Sequence, residues 1–75
     1  MTIKIHTEYI TLDSFMKLAS LVMTGGEAKE LILAGRVRVN GEECLMRGKK
    51  LYPGFTVQLD GGEIFTVAAE SPAAD

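Results

Sequence analysis

The chain has 75 residues, 47% hydrophobic and 24% charged, with a formal net charge of −2. That is enough chain for one thin-cored domain, too little for a catalytic domain beside a binding domain, and too apolar for general disorder. No apolar stretch approaches the roughly 20 residues of a membrane helix, no signal-peptide pattern opens the chain, and the single cysteine, Cys44, excludes an internal disulfide, so a reducing cytoplasm is the expected compartment.

Thr2-Ile3-Lys4-Ile5-His6-Thr7 alternates apolar and polar residues, the period of a half-buried strand with Ile3 and Ile5 inward. Thr11 is the expected N-cap of a first helix, its hydroxyl accepting an N–H of the first turn. Leu12, Phe15, Met16, Ala19 and Val22 recur at helical spacing as its buried stripe. Gly25 and Gly26 are expected to break this helix. Thr24 and Glu27 fit a capping box that opens a second helix, with Ala28, Leu31 and Ile32 on one face and Gly35 as the left-handed stop.

Arg36-Val37-Arg38-Val39 alternates again, and Asn40-Gly41 is the preferred pair for a two-residue type I′ hairpin. The return strand is expected from Glu42 through Cys44 and Leu45. Arg47-Gly48-Lys49-Lys50 reads as an exposed basic loop and Leu51-Tyr52-Pro53-Gly54 as a turn. Thr56 to Leu59 and Glu63 to Val67 are the last strands, separated by a turn at Asp60-Gly61-Gly62. The order β-α-α-β-β-β-β gives an α+β class: two helices on a small, bent, mainly antiparallel sheet. One domain is expected over 1–70, with a disordered tail at 71–75. The expected core is Leu12, Phe15, Ala19, Ala28, Leu31, Ile32, Val37, Val39 and Val57.

Charge is unevenly placed. Residues 29–50 carry Lys29, Arg36, Arg38, Arg47, Lys49 and Lys50 against Glu30, Glu42 and Glu43, a local balance of +3, leaving −5 elsewhere. A basic face can exist on such a chain despite its negative total.

The runs Leu12-Asp13-x-Phe15-x-Lys17, Gly26-Glu27-Ala28-Lys29-x-Leu31-Ile32-x-x-Gly35-x-Val37-x-Val39-Asn40-Gly41 and Arg47-Gly48-Lys49-Lys50-Leu51-x-x-Gly54 resemble the S-four RNA-binding domain, or alpha-L motif. The resemblance covers about residues 10–59 and is nearest to the small stand-alone, YaaA-like members. It implies non-catalytic binding of structured RNA, with ribosomal RNA or an assembling ribosome as partner. Two positions depart from the pattern: Gly25 stands where many members carry an arginine in the helix-helix turn, and Phe55 where many carry an aspartate.

The candidate RNA contacts are Lys29, Arg36, Arg38, Asn40, Arg47, Lys49 and Lys50. Arg36 and Arg38 are two apart on a strand, so their side chains leave the same face about 7 Å apart, a separation of the order of adjacent phosphates. Arg47, Lys49 and Lys50 can act as an electrostatic clamp on a backbone. Thr24, Gly25 and Gly26 put backbone N–H groups at a helix start, a possible phosphate site, against which stands the plainer reading of a cap. For each cation the plainer reading is a solvated surface charge.

No metal is expected, because His6 has no companions at ligand spacing. No cofactor and no catalytic set can be named: Cys44 reads as a small core residue, and Glu42 and Glu43, being consecutive, point to opposite faces of a strand. The few aromatic residues are not interleaved with the cations, which favours structured RNA over a stacked single strand. The alternative reading is a small protein-interaction module using an open sheet edge. A monomer without membrane contact is favoured.

Overall fold

The computed structural model describes residues 1–70; the tail expected over 71–75 lies outside them. In chain order come β1 (Thr2–Ile5), β2 (Ile10–Thr11), α1 (Leu12–Leu18), α2 (Gly25–Leu33), β3 (Val37–Val39), β4 (Glu42–Glu43), β5 (Lys50–Leu51), β6 (Thr56–Leu59) and β7 (Ile64–Ala69). The class is α+β as expected. A five-stranded sheet runs in the order β1-β7-β6-β3-β4, and β2 and β5 form a separate two-stranded ribbon. All pairs are antiparallel except β1 with β7, which run parallel from Thr2↔Thr66 to Ile5↔Ala69.

One contiguous core joins the layers. Leu12, Phe15 and Met16 of α1 and Ala28 and Ile32 of α2 pack with Val37, Val39, Leu51, Val57 and Val67, and all except Val39 are fully excluded from solvent. Ile5, Val22 and Phe65 complete it. The expected core members Ala19 and Leu31 are only half-buried and pack on its margin. Met16, already placed on the helix stripe, is as deeply buried as Phe15.

Three local expectations are corrected. First, α1 ends at Leu18, well before the glycines. Its stop is a Schellman motif built on Ser20: Leu21 N–H donates to Met16 C=O at 2.9 Å, Ser20 N–H to Lys17 C=O at 3.0 Å, and Ser20 takes the left-handed φ of 63° usually left to glycine. Gly25 and Gly26 instead form the first turn of α2. Second, β4 ends at Glu43, so Cys44 and Leu45 lie beyond the return strand; Leu45 is exposed. Third, Leu51, expected as the apolar lead-in to a turn, is itself a strand residue. It belongs to β5, opposite Ile10, and is fully buried. The turn follows it: Phe55 N–H donates to Tyr52 C=O at 3.0 Å, with Pro53 second and Gly54 third at φ 101°, the type II arrangement.

The Asn40-Gly41 hairpin forms as expected, with φ of 54° and 84° and Val39 paired to Glu42. Gly35 stops α2 as expected, at φ 76° in a second Schellman motif: Arg36 N–H donates to Leu31 C=O at 3.2 Å and Gly35 N–H to Ile32 C=O at 3.0 Å. No helix among the described residues is long and apolar enough to cross a membrane.

Candidate nucleic-acid interface

The basic loop is fixed by its backbone. Leu12 N–H donates to Lys49 C=O at 2.9 Å and Asp13 N–H to Arg47 C=O at 3.1 Å, so the loop carbonyls satisfy two of the orphan donors at the start of α1. Lys49 N–H closes a turn onto Met46 C=O at 3.1 Å. The chain then enters β5, whose register sets Lys50 opposite Thr11 and Leu51 opposite Ile10. Because the carbonyls face α1 and Leu51 is buried, the side chains of Arg47, Lys49 and Lys50 remain exposed on a braced loop. The Thr11 hydroxyl has a different role from the cap expected of it. It donates to Asp13 Oδ1 at 2.8 Å, and that same carboxylate oxygen accepts from Ser14 N–H at 2.8 Å.

Arg36 and Arg38 flank the buried Val37 on one exposed strand face, but they are not equivalent. Arg36 is held by Asp60 in a two-point pair, with Nε 2.9 Å from Oδ1 and the terminal nitrogen on Oδ2. The hydrogen bond to Arg36 is the first cause holding the Asp60 carboxyl below its ordinary range. The reciprocal hydrogen bond, then the charge of Asp60, raises the Arg36 guanidinium. Arg38 makes one long contact, Nη1 to Gly41 C=O at 3.5 Å, and forms no ion pair among the described residues. The face therefore presents one free cation, not two.

The Asn40 side chain is also partly committed. Its Oδ1 accepts Thr56 N–H at 2.9 Å, which ties the hairpin to β6 and leaves its amide nitrogen as the group still able to donate outward. Asn40 and Lys49 line one open concavity of about 250 Å3 together with Val39, Glu42, Glu43, Cys44 and Met46. Glu42 and Glu43 both contribute to that wall, while the Glu43 carboxylate itself lies beside Gly35. Cys44 is half-buried there against the core margin. Lys29 stands exposed on α2.

At the start of α2 the Thr24 hydroxyl accepts Glu27 N–H at 3.1 Å. Glu27 Oε1 reaches Met23 N–H at 2.9 Å, one residue further out than the capping box expected. A carboxylate thus sits beside the helix start that Thr24, Gly25 and Gly26 offer as a phosphate site, and the observed arrangement is a cap. His6 pairs with Glu70. Among the described residues no group of His, Cys, Asp or Glu is arranged to hold a metal ion.

One feature is opposite to the sequence reading. Tyr9, Tyr52 and Phe55 stand together, with ring centroids 5.8 Å apart for Tyr9–Tyr52 and 5.9 Å for Tyr52–Phe55, and Lys50 Nζ lies 4.8 Å from the Tyr9 centroid. Aromatic and basic residues are interleaved in space though not in sequence. The signal was Tyr9 and Tyr52 themselves, but it becomes legible only once the β2–β5 pairing is known.

The S4 domain family matches residues 3–67. The chain is also similar to the probable ribosome maturation protein RlbA of Bacillus subtilis (strain 168), with 45% identity over 65 residues that cover 87% of this chain and 92% of the relative.

Proposed function

The chain belongs to the S4 domain family, and on that premise we propose that it binds structured RNA without catalysing a reaction, as a cytoplasmic ribosome-associated factor. The observation that carries this reading is the braced loop: three cations, Arg47, Lys49 and Lys50, exposed on a backbone pinned to the start of α1. A loop held in one shape loses little freedom when it meets a phosphate backbone. Arg38, Lys29 and the Asn40 amide extend the contact, and Arg36 contributes when released from Asp60. Ribosomal RNA in an assembling particle is the target, in keeping with the maturation role in the name of the Bacillus relative.

The test is a salt series of binding to purified ribosomal RNA, with duplex DNA as control. A log-log slope of about −3 to −4 is expected, corresponding to roughly four neutralised phosphates. The double variant Arg47→Glu/Lys49→Glu should flatten that slope by about 2. No binding at low salt, or an unchanged slope in the folded variant, would overturn the reading. A protein partner is the second reading, favoured by Leu45 and Met46, which are 53% and 65% exposed just beyond β4. A partner captured independently of salt, without any RNA signal, would select it.

A further inference from the structure

We propose that Tyr9 and Tyr52 form a stacking site for an unpaired nucleobase, with Lys50 taking the phosphate next to that base. The inference rests on the RNA-binding reading and adds which part of the RNA this end of the molecule takes.

The geometry follows from register. Thr11↔Lys50 and Ile10↔Leu51 are paired, so the next antiparallel pair outward is Tyr9 opposite Tyr52. Side chains alternate across a ribbon. Leu51 points to the core and is fully buried, which turns Tyr9, Thr11, Lys50 and Tyr52 to the outer face. There the two tyrosines are 37% and 38% exposed, so part of each ring is open to solvent. Phe55, half-buried, packs against Tyr52 with ring centroids 5.9 Å apart at 59°. The Tyr9 and Tyr52 planes meet at 46° rather than stacking flat.

What fits such a surface is set by the charge beside it. Lys50 already lies over the Tyr9 ring, and Arg47 and Lys49 precede it on the same exposed loop. A cation on an exposed ring is weakly held. A base that takes the ammonium's place on the ring brings a phosphate to which the ammonium can move. A flat apolar partner carrying an adjacent negative charge is the description of an unpaired nucleotide, and aromatic side chains take any base because every base has a π-face. A fully paired duplex offers the phosphates but hides the base faces.

The chain contains two tyrosines and no tryptophan, so its near-ultraviolet emission comes chiefly from the proposed site. Titration with an oligoadenylate octamer should quench tyrosine emission, whereas a fully paired RNA duplex and inorganic polyphosphate should not. Tyr9→Leu and Tyr52→Leu should each weaken octamer binding about tenfold while leaving the salt slope unchanged, since no phosphate contact is lost. Tyr9→Phe and Tyr52→Phe keep the ring and should bind as the parent does, which separates loss of stacking from loss of fold. Binding of octamer and duplex alike without quenching, or leucine variants that bind as the parent does, would overturn the stacking site and leave RNA binding standing. No binding of either RNA at low salt would overturn both.

Discussion

Arg36 stands opposite Asp60 because Val37 pairs with Leu59, and the next pair outward on that ladder is 36 with 60. Asp60 also sits in a left-handed turn at φ 54°, with Gly61 at 72°, which brings its carboxylate back toward β3. Both partners are exposed, so the pair adds little to stability, but it governs which cation is available. Asp60→Asn should free Arg36 and steepen the salt dependence of RNA binding by about 1. The same variant has a pH signature. A carboxylate whose folded value is lowered contributes above its unfolded value, and that contribution disappears as pH falls through the folded one. Any difference in urea midpoint between parent and variant should therefore be small at neutral pH and vanish in acid; a gap that persists below the carboxylate range would assign the difference to something else. Gly35 gives a second case. At φ 76°, with the Glu43 carboxylate lying where a Cβ would go, Gly35→Ala should cost about 1–2 kcal/mol in urea unfolding. Gly25→Ala, on the first turn of α2 with nothing within 4 Å of an added Cβ, should be neutral or slightly stabilising.

The two helices differ in how readable their ends were. α2 opens with Thr24 and closes with Gly35, residues whose chemistry names the position they occupy. α1 closes on Ser20, which carries no such label, and the Schellman hydrogen bonds hold it left-handed at a steric cost. Ser20→Gly should therefore stabilise the protein by up to about 1 kcal/mol, measured as a raised urea midpoint with an unchanged slope. The β2–β5 ribbon is not legible in the sequence because each strand has two residues, too short for alternation to register. It is nevertheless what braces the basic loop. Leu51→Ala should cost about 2–5 kcal/mol. In a partly destabilised but folded variant, hydrogen exchange should rise first at the amides of Leu12 and Asp13, which depend on the loop carbonyls. Exchange that rises equally across the sheet would mean the ribbon has no separate role.

Taken together, the charge of the molecule is not the charge of its sequence window. The +3 of residues 29–50 is divided in the fold. Arg36 is paired, Glu42 and Glu43 share a concavity with Lys49, and Arg47, Lys49 and Lys50 remain together on the braced loop. With about four phosphates engaged, affinity for ribosomal RNA should fall by about two orders of magnitude between 50 and 200 mM salt. A fall of only a fewfold over that range would mean that one cation, or none, is engaged.

The helix stripe, the capped start of α2, the Gly35 stop and the Asn40-Gly41 hairpin were legible in the residues, because each depends on the conformational preference of neighbours a few positions apart. The family pattern was legible for the same reason: its residues lie within short runs. Which cations stay free, which strand runs parallel, and that Tyr9 meets Tyr52 and Lys50 were not. Those follow from pairings between residues far apart in the chain: 36 with 60, 2 with 66, and 9 with 52. Such pairings are set by register, which is fixed by the buried faces of all the strands together and not by any one of them.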